Sequence, residues 1–362
     1  MEHKTRIKGN VHYVGVNDRN KHRFEGMWPL PYGVSYNSYL IDDEMVALVD
    51  TVDICYFEVY LRKIKQVIGE RPINYLIINH MEPDHSGSIR LIKQHYPEII
   101  IVGNKQTFGM IEGFYGVTGE QYLVKEGDFL ALGHHKLRFY MTPMVHWPET
   151  MMTFDETDGV LFSGDGFGCF GTVDGGFLDT RINVDKYWGE MVRYYSNIVG
   201  KYGSPVQRAL QKLGGLPISA ICSTHGPVWT ENIAKVIGIY DRLSRYDADE
   251  GVVIAYGSMY GNTEQMAEAI AEELSAQGVK NIVMHNVTKS HPSYIIADIF
   301  RYKGLIIGSP TYSNQIFPEV ESLLSKILVR EVKGRYLGYF GSFAWAGAAV
   351  KRVAEFAEKS KF

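Results

Sequence analysis

The sequence predicts an α/β protein of two domains. The first is an αββα sandwich, in which two sheets lie face to face with helices outside, and the second is an open parallel sheet. Three observations predict this. The chain has 362 residues, enough for two separate hydrophobic cores. The first domain begins with strand patterns, continues with alternating strands and helices, and returns to short strands over residues 121–162. After residue 250, strands and helices alternate regularly, which is typical of a parallel sheet.

Turn-rich segments separate the strands at the start of the first domain. We expect these strands at Val11–Val16, Tyr36–Ile41, Met45–Val49 and Ile73–Ile78. Short strands divided by turns fill Gln121 to Phe162. Apolar residues at helical spacing predict six helices: Tyr56–Ile68, Ser86–His95, Thr107–Phe114, Val184–Val199, Val206–Leu213 and Ile233–Leu243.

A polar run, Ser244–Glu250, is the predicted linker, so that residues 1–248 form one domain and residues 249–362 the other. The apolar strand Gly251–Tyr256 leads through a polar loop to a helix at Glu264–Leu274. Three further strands follow, and the third and fourth strands of the domain each end in a loop. The last helix is Ala348–Glu358, so that this domain has four predicted strands.

Composition excludes several classes of function. The net charge is -4, and no basic cluster suggests nucleic acid. No apolar run reaches the roughly 18 to 20 residues that cross a bilayer, and Met1–Lys4 lacks the apolar core of a signal peptide. We therefore expect a cytoplasmic protein without membrane contact. The three scattered cysteines form neither a disulfide framework nor a C-x-x-C metal knuckle.

Four side chains of metal-ligand type fall within six residues after the strand Ile73–Ile78: His80, Glu82, Asp84 and His85. If the segment stays extended past the strand, the first three project to one side, because side chains alternate along a strand. Burying so many histidines and carboxylates is costly unless a cation compensates their charge. The run therefore predicts a metal site.

Three isolated residues of the same type follow at predicted strand ends. His146 lies in Met144–Pro148, Asp165 ends a strand that begins at Val160, and His225 precedes Gly226–Pro227. Loops at strand ends hold functional side chains on a rigid frame.

The run resembles the H-x-H-x-D-H metal loop of the metallo-β-lactamase superfamily, with Glu82 in place of the second histidine. Together with the second domain, it is similar to the flavodiiron proteins, also called A-type flavoproteins, over essentially the whole chain. The resemblance implies that His80, Glu82 and His146 hold one iron ion, that Asp84, His85 and His225 hold the other, and that Asp165 bridges them. Family members differ in whether the histidine at position 85 binds metal, so this ligand stays open. A 2-His-1-carboxylate face is favoured by non-haem iron.

The loop that opens the second domain offers hydroxyls, backbone N–H groups and the positive end of a helix to a phosphate. Its S-x-x-G-N-T pattern resembles the FMN phosphate loop of flavodoxins. The loops after the third and fourth strands lie where ligands bind in open α/β sheets, and in flavodoxins these positions line the flavin ring. The predicted FMN residues are Ser258, Met259, Tyr260, Gly261, Asn262, Thr263, Pro310, Thr311, Tyr312, Asn314, Ser342, Phe343, Ala344, Trp345 and Gly347. A flavodoxin has five strands and four are found here, so either the C-terminal end is missing from this sequence or the domain lacks its last strand and helix.

The resemblance implies an oxidoreductase that reduces dioxygen to water, nitric oxide to nitrous oxide, or both, at a diiron site fed by FMN. It also implies an electron donor such as rubredoxin or a reduced deazaflavin, and a head-to-tail homodimer or a dimer of dimers. Two alternatives remain. One is a zinc hydrolase that attacks with a metal-bound hydroxide, and the other is a flavin electron carrier or gas sensor without turnover.

Overall fold

The computed structural model describes residues 5–362, so Met1–Lys4, which were considered for a targeting signal, lie outside the described part. The chain divides into two compact units. One contains residues up to Met191 together with Ser204–Tyr240, and the other contains Val192–Gly203 and Asp241–Phe362. The segment Val192–Gly203 thus packs with the second unit, which the sequence did not indicate.

The first unit is built on two sheets, as predicted. Its strands are β1 (Arg6–Lys8), β2 (Val11–Tyr13), β3 (Val16–Asp18), β4 (Arg23–Phe24), β5 (Trp28–Pro29), β6 (Val34–Tyr36), β7 (Tyr39–Ile41), β8 (Ala47–Val49), β9 (Tyr75–Ile77), β10 (Ile100–Gly103), β11 (Gln121–Leu123), β12 (Phe129–Ala131), β13 (Lys136–Met141), β14 (Met151–Asp155), β15 (Val160–Gly164) and β16 (Ala220–Ser223). Seven strands pair in the order β1-β2-β7-β8-β9-β10-β11, and five pair as β12-β13-β14-β15-β16. The strands β8 to β11 run parallel to one another, β8 is antiparallel to β7, and β15 is parallel to β16.

The core of the first unit is formed by alternate residues of both sheets. Tyr39 and Ile41 of β7 and Leu137 and Phe139 of β13 belong to one apolar cluster, and each is at most 1% exposed. Because side chains alternate along a strand, each sheet presents an apolar face to this shared core. The loops at the carboxyl ends of β9, β13, β15 and β16 are left free to carry the site.

The eight predicted helices are found near their predicted positions, with two exceptions, and two further helices, at Pro292–Arg301 and Pro318–Arg330, were not predicted. They are α1 (Phe57–Ile68), α2 (Pro83–Ser86), α3 (Ile89–His95), α4 (Lys105–Tyr115), α5 (Asp185–Tyr194), α6 (Gly203–Leu213), α7 (Ile233–Ser244), α8 (Asn262–Ala276), α9 (Pro292–Arg301), α10 (Pro318–Arg330) and α11 (Ala348–Lys359). The helix predicted over Ser86–His95 is split into α2 and α3. No helix within residues 5–362 has the length and apolarity to cross a membrane.

The second exception is the helix predicted over Val184–Val199. The α-helix α5 ends at Tyr194, and Tyr195–Val199 forms a π-helical turn. Two side chains compete with the backbone here: Ser196 Oγ donates to the carbonyl of Val192 at 2.6 Å, and Asn197 Nδ2 donates to that of Arg193 at 2.8 Å. Such local bonds disturb the regular ladder of an α-helix.

The second unit contains the predicted parallel sheet. Its strands are β17 (Asp249–Tyr256), β18 (Ile282–Asn286), β19 (Tyr302–Tyr312), β20 (Gln315–Ile316) and β21 (Tyr336–Ser342). Four of them run parallel in the order β18-β17-β19-β21, which are the four strands that the sequence indicates. The short β20 folds back antiparallel on β19. The ends of the predicted linker belong to regular elements, since α7 reaches Ser244 and β17 begins at Asp249, so the connection itself is only residues 245–248.

Candidate metal centre and ligand cavity

The segment from His80 to His85 follows β9. An extended segment was expected, but the chain becomes helical before Asp84. Pro83 occupies the first helical position of α2, and Glu82 is the residue before the helix, with φ −57° and ψ 136°. A proline is favoured at that position because its fixed φ suits a helix and its missing N–H is not needed there. The helical turn directs Asp84 away from the side on which His80 and Glu82 lie.

The other residues reach the same place from strand ends. Asp165 directly follows β15 and His225 lies two residues after β16. These two strands are parallel neighbours, so their carboxyl ends lie side by side. His146 follows β13. All seven predicted metal residues are buried, and the structure brings them together in two adjoining clusters.

The first cluster consists of His80, Glu82 and His146 around one oxygen of Asp165. Asp165 Oδ2 lies 3.5 Å from Nε2 of His80 and 2.9 Å from Nε2 of His146. Glu82 Oε2 lies 3.5 Å and 3.2 Å from the same two nitrogens. Two imidazoles and a carboxylate therefore converge on one point.

The second cluster consists of Asp84, His85 and His225, and it uses the other oxygen of the same carboxylate. Asp165 Oδ1 lies 2.9 Å from Nε2 of His85 and 3.7 Å from Nε2 of His225. The two oxygens of Asp84 lie 3.3 Å and 3.4 Å from these nitrogens. Asp165 thus stands between the clusters with one oxygen facing each.

Groups behind the imidazoles fix their orientation. Nδ1 of His80 donates to Glu149 Oε1 at 2.8 Å, and the same oxygen accepts the N–H of Met81 at 2.9 Å. Nδ1 of His225 donates to the carbonyl of Ser35 at 2.7 Å. With the proton held on Nδ1, each Nε2 presents its lone pair to the cluster, which is the form that binds a metal.

The charges of the clusters shift their own protonation. Burial alone would lower the pKa values of His85 and His146, but neighbouring carboxylates raise both to about 9. Burial alone would raise the pKa of Glu82, but the neighbouring imidazoles of His146 and His80 lower it to about 2. Protons on the imidazoles therefore neutralise the carboxylates, and a bound cation would replace those protons.

The donor set fits a pair of metal ions. Among the described residues, neither oxygen of the buried Asp84 has a hydrogen-bond partner, and neither has Nε2 of His80. Buried polar atoms without partners are costly, and a coordinated ion removes that cost. Each cluster offers two histidines and one carboxylate of its own, with Asp165 shared, which is the set favoured by non-haem iron.

Aromatic rings enclose the clusters. The ring of Trp147 lies edge-on to that of His80 with centroids 5.3 Å apart. Phe24 and Tyr36 approach His225 with centroids 5.2 Å and 6.1 Å away. These rings keep bulk water from the imidazoles and lower the local dielectric, which strengthens the electrostatic interactions inside.

The second unit contains a cavity of about 540 Å³ at the carboxyl ends of β19 and β21. Its lining residues are all uncharged: Met259, Tyr260, Asn262, Pro310, Thr311, Tyr312, Ser313, Ser342, Phe343, Ala344, Trp345 and Ala346. Ten of these residues were predicted to bind FMN, and Ser313 and Ala346 were missed. The predicted Ser258, Gly261, Thr263, Asn314 and Gly347 do not line this cavity.

Some of those five residues support the cavity from behind. Ser258 Oγ accepts the N–H of Gly261 at 3.1 Å, and Gly261, with φ +90°, turns the chain into α8. Thr263 is buried and its hydroxyl lies 2.9 Å from that of Ser342. The compact turn leaves the first N–H groups of α8 available, which is the arrangement that binds phosphate.

The aromatic side chains at the cavity mouth are open to solvent. Trp345 is 78% exposed and Tyr312 is 49% exposed. Nε1 of Trp345 donates to Oδ1 of Asn314 at 3.0 Å, so that the indole is held in place without being covered. Uncharged walls, a phosphate-binding turn and two flanking aromatic rings fit a flavin mononucleotide.

Comparisons with known proteins agree with both sites. Residues 34–226 match the family described as ODP family beta lactamase, and residues 254–362 match the flavodoxin family. The chain is 33% identical over 353 residues to the anaerobic nitric oxide reductase flavorubredoxin of Vibrio vulnificus, which covers 96% of this chain and 71% of the relative. The flavorubredoxin of an Escherichia coli strain is 31% identical, over 96% of this chain and 74% of its own.

Solved structures give the same result. The rubredoxin oxygen:oxidoreductase of Desulfovibrio gigas has a TM-score of 0.94 and 31% identity, and the likeness covers 98% of this chain and 89% of that one. The flavodiiron protein of Giardia intestinalis has a TM-score of 0.93 and 27% identity, covering 97% of this chain and 87% of the other.

Proposed function

Because this chain belongs to the flavodiiron proteins, a family of oxidoreductases, we propose that it reduces dioxygen to water, nitric oxide to nitrous oxide, or both. The observation that carries this proposal is the placement of Asp165, with one oxygen 2.9 Å from His146 and the other 2.9 Å from His85. A carboxylate shared in this way holds two metal ions close enough to act on one diatomic molecule.

The cofactors are FMN and a diiron centre. His80, Glu82 and His146 would hold one iron ion, Asp84, His85 and His225 the other, and Asp165 would bridge them. The flavin would occupy the cavity beside Trp345 and Tyr312, with its phosphate at the start of α8. When bound, two ferrous ions and a two-electron reduced flavin supply the four electrons that dioxygen requires.

The residues of the chain orient the ligands and shield the reaction. Glu149 and the carbonyl of Ser35 hold two of the imidazoles in the tautomer that ligates metal. The hydroxyl of Thr224 donates to Oδ1 of Asp165 at 2.5 Å, which fixes the plane of the shared carboxylate. Trp147 and Phe24 exclude water, so that partly reduced species are retained rather than released.

The test is to purify the protein anaerobically, to analyse its metal and flavin, and then to measure consumption of dioxygen and of nitric oxide side by side with a reduced rubredoxin as donor. We expect about two irons and one FMN per chain, with consumption of at least one gas. Zinc without yellow colour would favour the hydrolase. Iron and flavin without consumption of either gas would favour the carrier or sensor.

We further propose that the active form is a head-to-tail homodimer or a dimer of dimers, reduced by a rubredoxin or a reduced deazaflavin. Exposed apolar rings around the flavin cavity support this, since Tyr260 and Phe343 are 88% and 63% exposed and such patches mark contact surfaces. The test mixes a chain carrying His80→Ala and Asp165→Ala with one that lacks FMN. Activity should return once subunits exchange, and confirmed exchange without activity would contradict the proposal.

A further inference from the structure

The two metal positions differ in what stands behind their histidines. His80 is backed by the carboxylate of Glu149, at 2.8 Å from Nδ1. His225 is backed by the neutral carbonyl of Ser35, at 2.7 Å. Nδ1 of His85 is buried and makes no hydrogen bond among the described residues. A carboxylate behind an imidazole makes the ring a stronger electron donor than a carbonyl does.

The two metal positions also differ in their number of carboxylates. The first position has Glu82 and Glu149 on its own side, the second has only Asp84, and Asp165 is shared. The carboxyl group of Glu25 also interacts with Glu82 and His146 of the first position, so it adds to the asymmetry when it is ionised. The buried Asp50 does not distinguish the two positions, because its charge acts on a histidine of each set. Glu149 is only 1% exposed, so its charge is poorly screened by solvent. The first position is therefore the more negative by at least one charge.

Glu149 is itself held firmly. Its Oε1 accepts both the Nδ1–H of His80 and the N–H of Met81, and its backbone carbonyl accepts Nδ2 of Asn104 at 2.6 Å. Nδ2 of Asn104 is thereby fixed, while Oδ1 of the same side chain caps α4 by accepting the N–H of Thr107 at 3.1 Å. The carboxylate thus cannot turn away from His80 without also breaking its bond to the N–H of Met81, and its backbone is fixed by Asn104.

Resting on the proposed diiron function, we infer that Glu149 is a positioning residue that makes the two iron positions unequal. The ion held by His80, Glu82 and His146 has the lower reduction potential, because a nearby negative charge stabilises the ferric form over the ferrous form. When one electron from the donor enters the diferric pair, it reduces the ion held by Asp84, His85 and His225. The ion at the first position then remains ferric.

The direct test uses the wild-type protein. Crystals of the iron-loaded enzyme are reduced by one electron per pair, and anomalous diffraction is recorded across the iron absorption edge to obtain a separate edge for each position. We expect the edge at the His80 position to lie at higher energy, as ferric iron requires. Equal edges, or a higher edge at the His225 position, would overturn the inference.

The second test removes the charge and keeps the shape. In Glu149→Gln, the potential of the first position should rise, so that the separation between the two potentials narrows. We expect the comproportionation constant, read from the mixed-valent EPR signal in a redox titration, to fall about tenfold, which equals roughly 59 mV for a one-electron couple. Asp155→Asn is the matched control, since Asp155 also bonds a buried histidine, His135, at 2.9 Å, but neither residue belongs to the two clusters around Asp165.

The outcomes separate this inference from the function on which it rests. A tenfold fall in Glu149→Gln with no change in Asp155→Asn supports it, and an unchanged signal in Glu149→Gln overturns it. If Glu149→Gln does not fold or loads no iron, the wild-type crystals decide alone. Zinc in place of iron in the wild type would instead refute the proposed function, and the metal analysis reports that before any titration begins.

Discussion

Gly226, the residue after His225, offers a sharp test of how tightly this end of the site is built. Its φ is +79°, and a Cβ added there would lie 2.2 Å from Sγ of the buried Cys169. Its N–H donates to Ser35 Oγ at 2.8 Å. Gly226→Ala should therefore strain the backbone and push against the cysteine at once.

Each effect has a size. An L-residue in the left-handed region costs roughly 1–2 kcal/mol, and forcing an extra methyl into a packed interior costs about 1–3 kcal/mol more. The sum for Gly226→Ala is about 2–5 kcal/mol of the free energy of unfolding. Because the strain falls next to His225, we also expect this variant to lose iron from the second position.

Two further variants separate the backbone cost from the steric cost. Gly175 has φ +80° with nothing within 4 Å of an added Cβ, so Gly175→Ala measures the backbone cost alone, about 1–2 kcal/mol. Combining Gly226→Ala with Cys169→Ala removes the obstructing sulfur and should recover most of the steric cost. Urea unfolding followed by tryptophan fluorescence is the assay, since four of the five tryptophans belong to the first unit. Equal losses in Gly226→Ala and Gly175→Ala would refute the reasoning.

Three other variants test the remaining features. Glu82→His should replace the iron-type ligand set by a zinc-type set and abolish gas reduction while FMN stays bound; unchanged iron and unchanged oxygen consumption would contradict this. Asn262→Lys with Thr263→Ala should lose FMN, because the turn at α8 no longer aims its N–H groups and hydroxyl at a phosphate; stoichiometric flavin fluorescence after denaturation would place the phosphate elsewhere. His135→Gln should lower the unfolding temperature more at about pH 6 than at about pH 9. Burial alone would lower the pKa of His135, but the hydrogen bond with Asp155 raises it. The stabilisation by the charged His135 is therefore present below its pKa in the unfolded chain and is lost as pH rises through its pKa in the folded protein. A pH-independent difference would show that the charge of His135 contributes nothing to stability.

The metal residues could be identified from sequence because they are concentrated and because they sit at strand ends. Four lie between His80 and His85, and the remaining three follow predicted strands, so the topology of the sheets brings them to one edge. The helical turn at Asp84 could not be predicted with the same ease. It depends on Pro83 starting a helix of only four residues, which is too short to produce a hydrophobic periodicity.

The role of Glu149 could not be predicted from the sequence for a different reason. It lies three residues after His146, yet its partner is His80, 69 residues away along the chain. No spacing rule connects these positions, because the contact exists only once β9 and β14 have been placed in different sheets of the sandwich. In the second unit, the loops that follow strands were recognisable, but Ser313 and Ala346 carry no chemical signal and enter the cavity only through the path of the backbone.

The distribution of the two ligand sets along the chain has a consequence for biosynthesis. On the ribosome, the residues of the first set are complete once Asp165 has emerged, whereas the second set waits for His225 at the end of β16. Between them the chain must deliver Val192–Gly203, which packs with the second unit and so has no folded neighbour yet. The residues of the flavin cavity, which lie between Met259 and Ala346, emerge after both sets. Synthesis along the chain therefore completes the ligand residues of the first position, then those of the second, and then the lining of the flavin cavity.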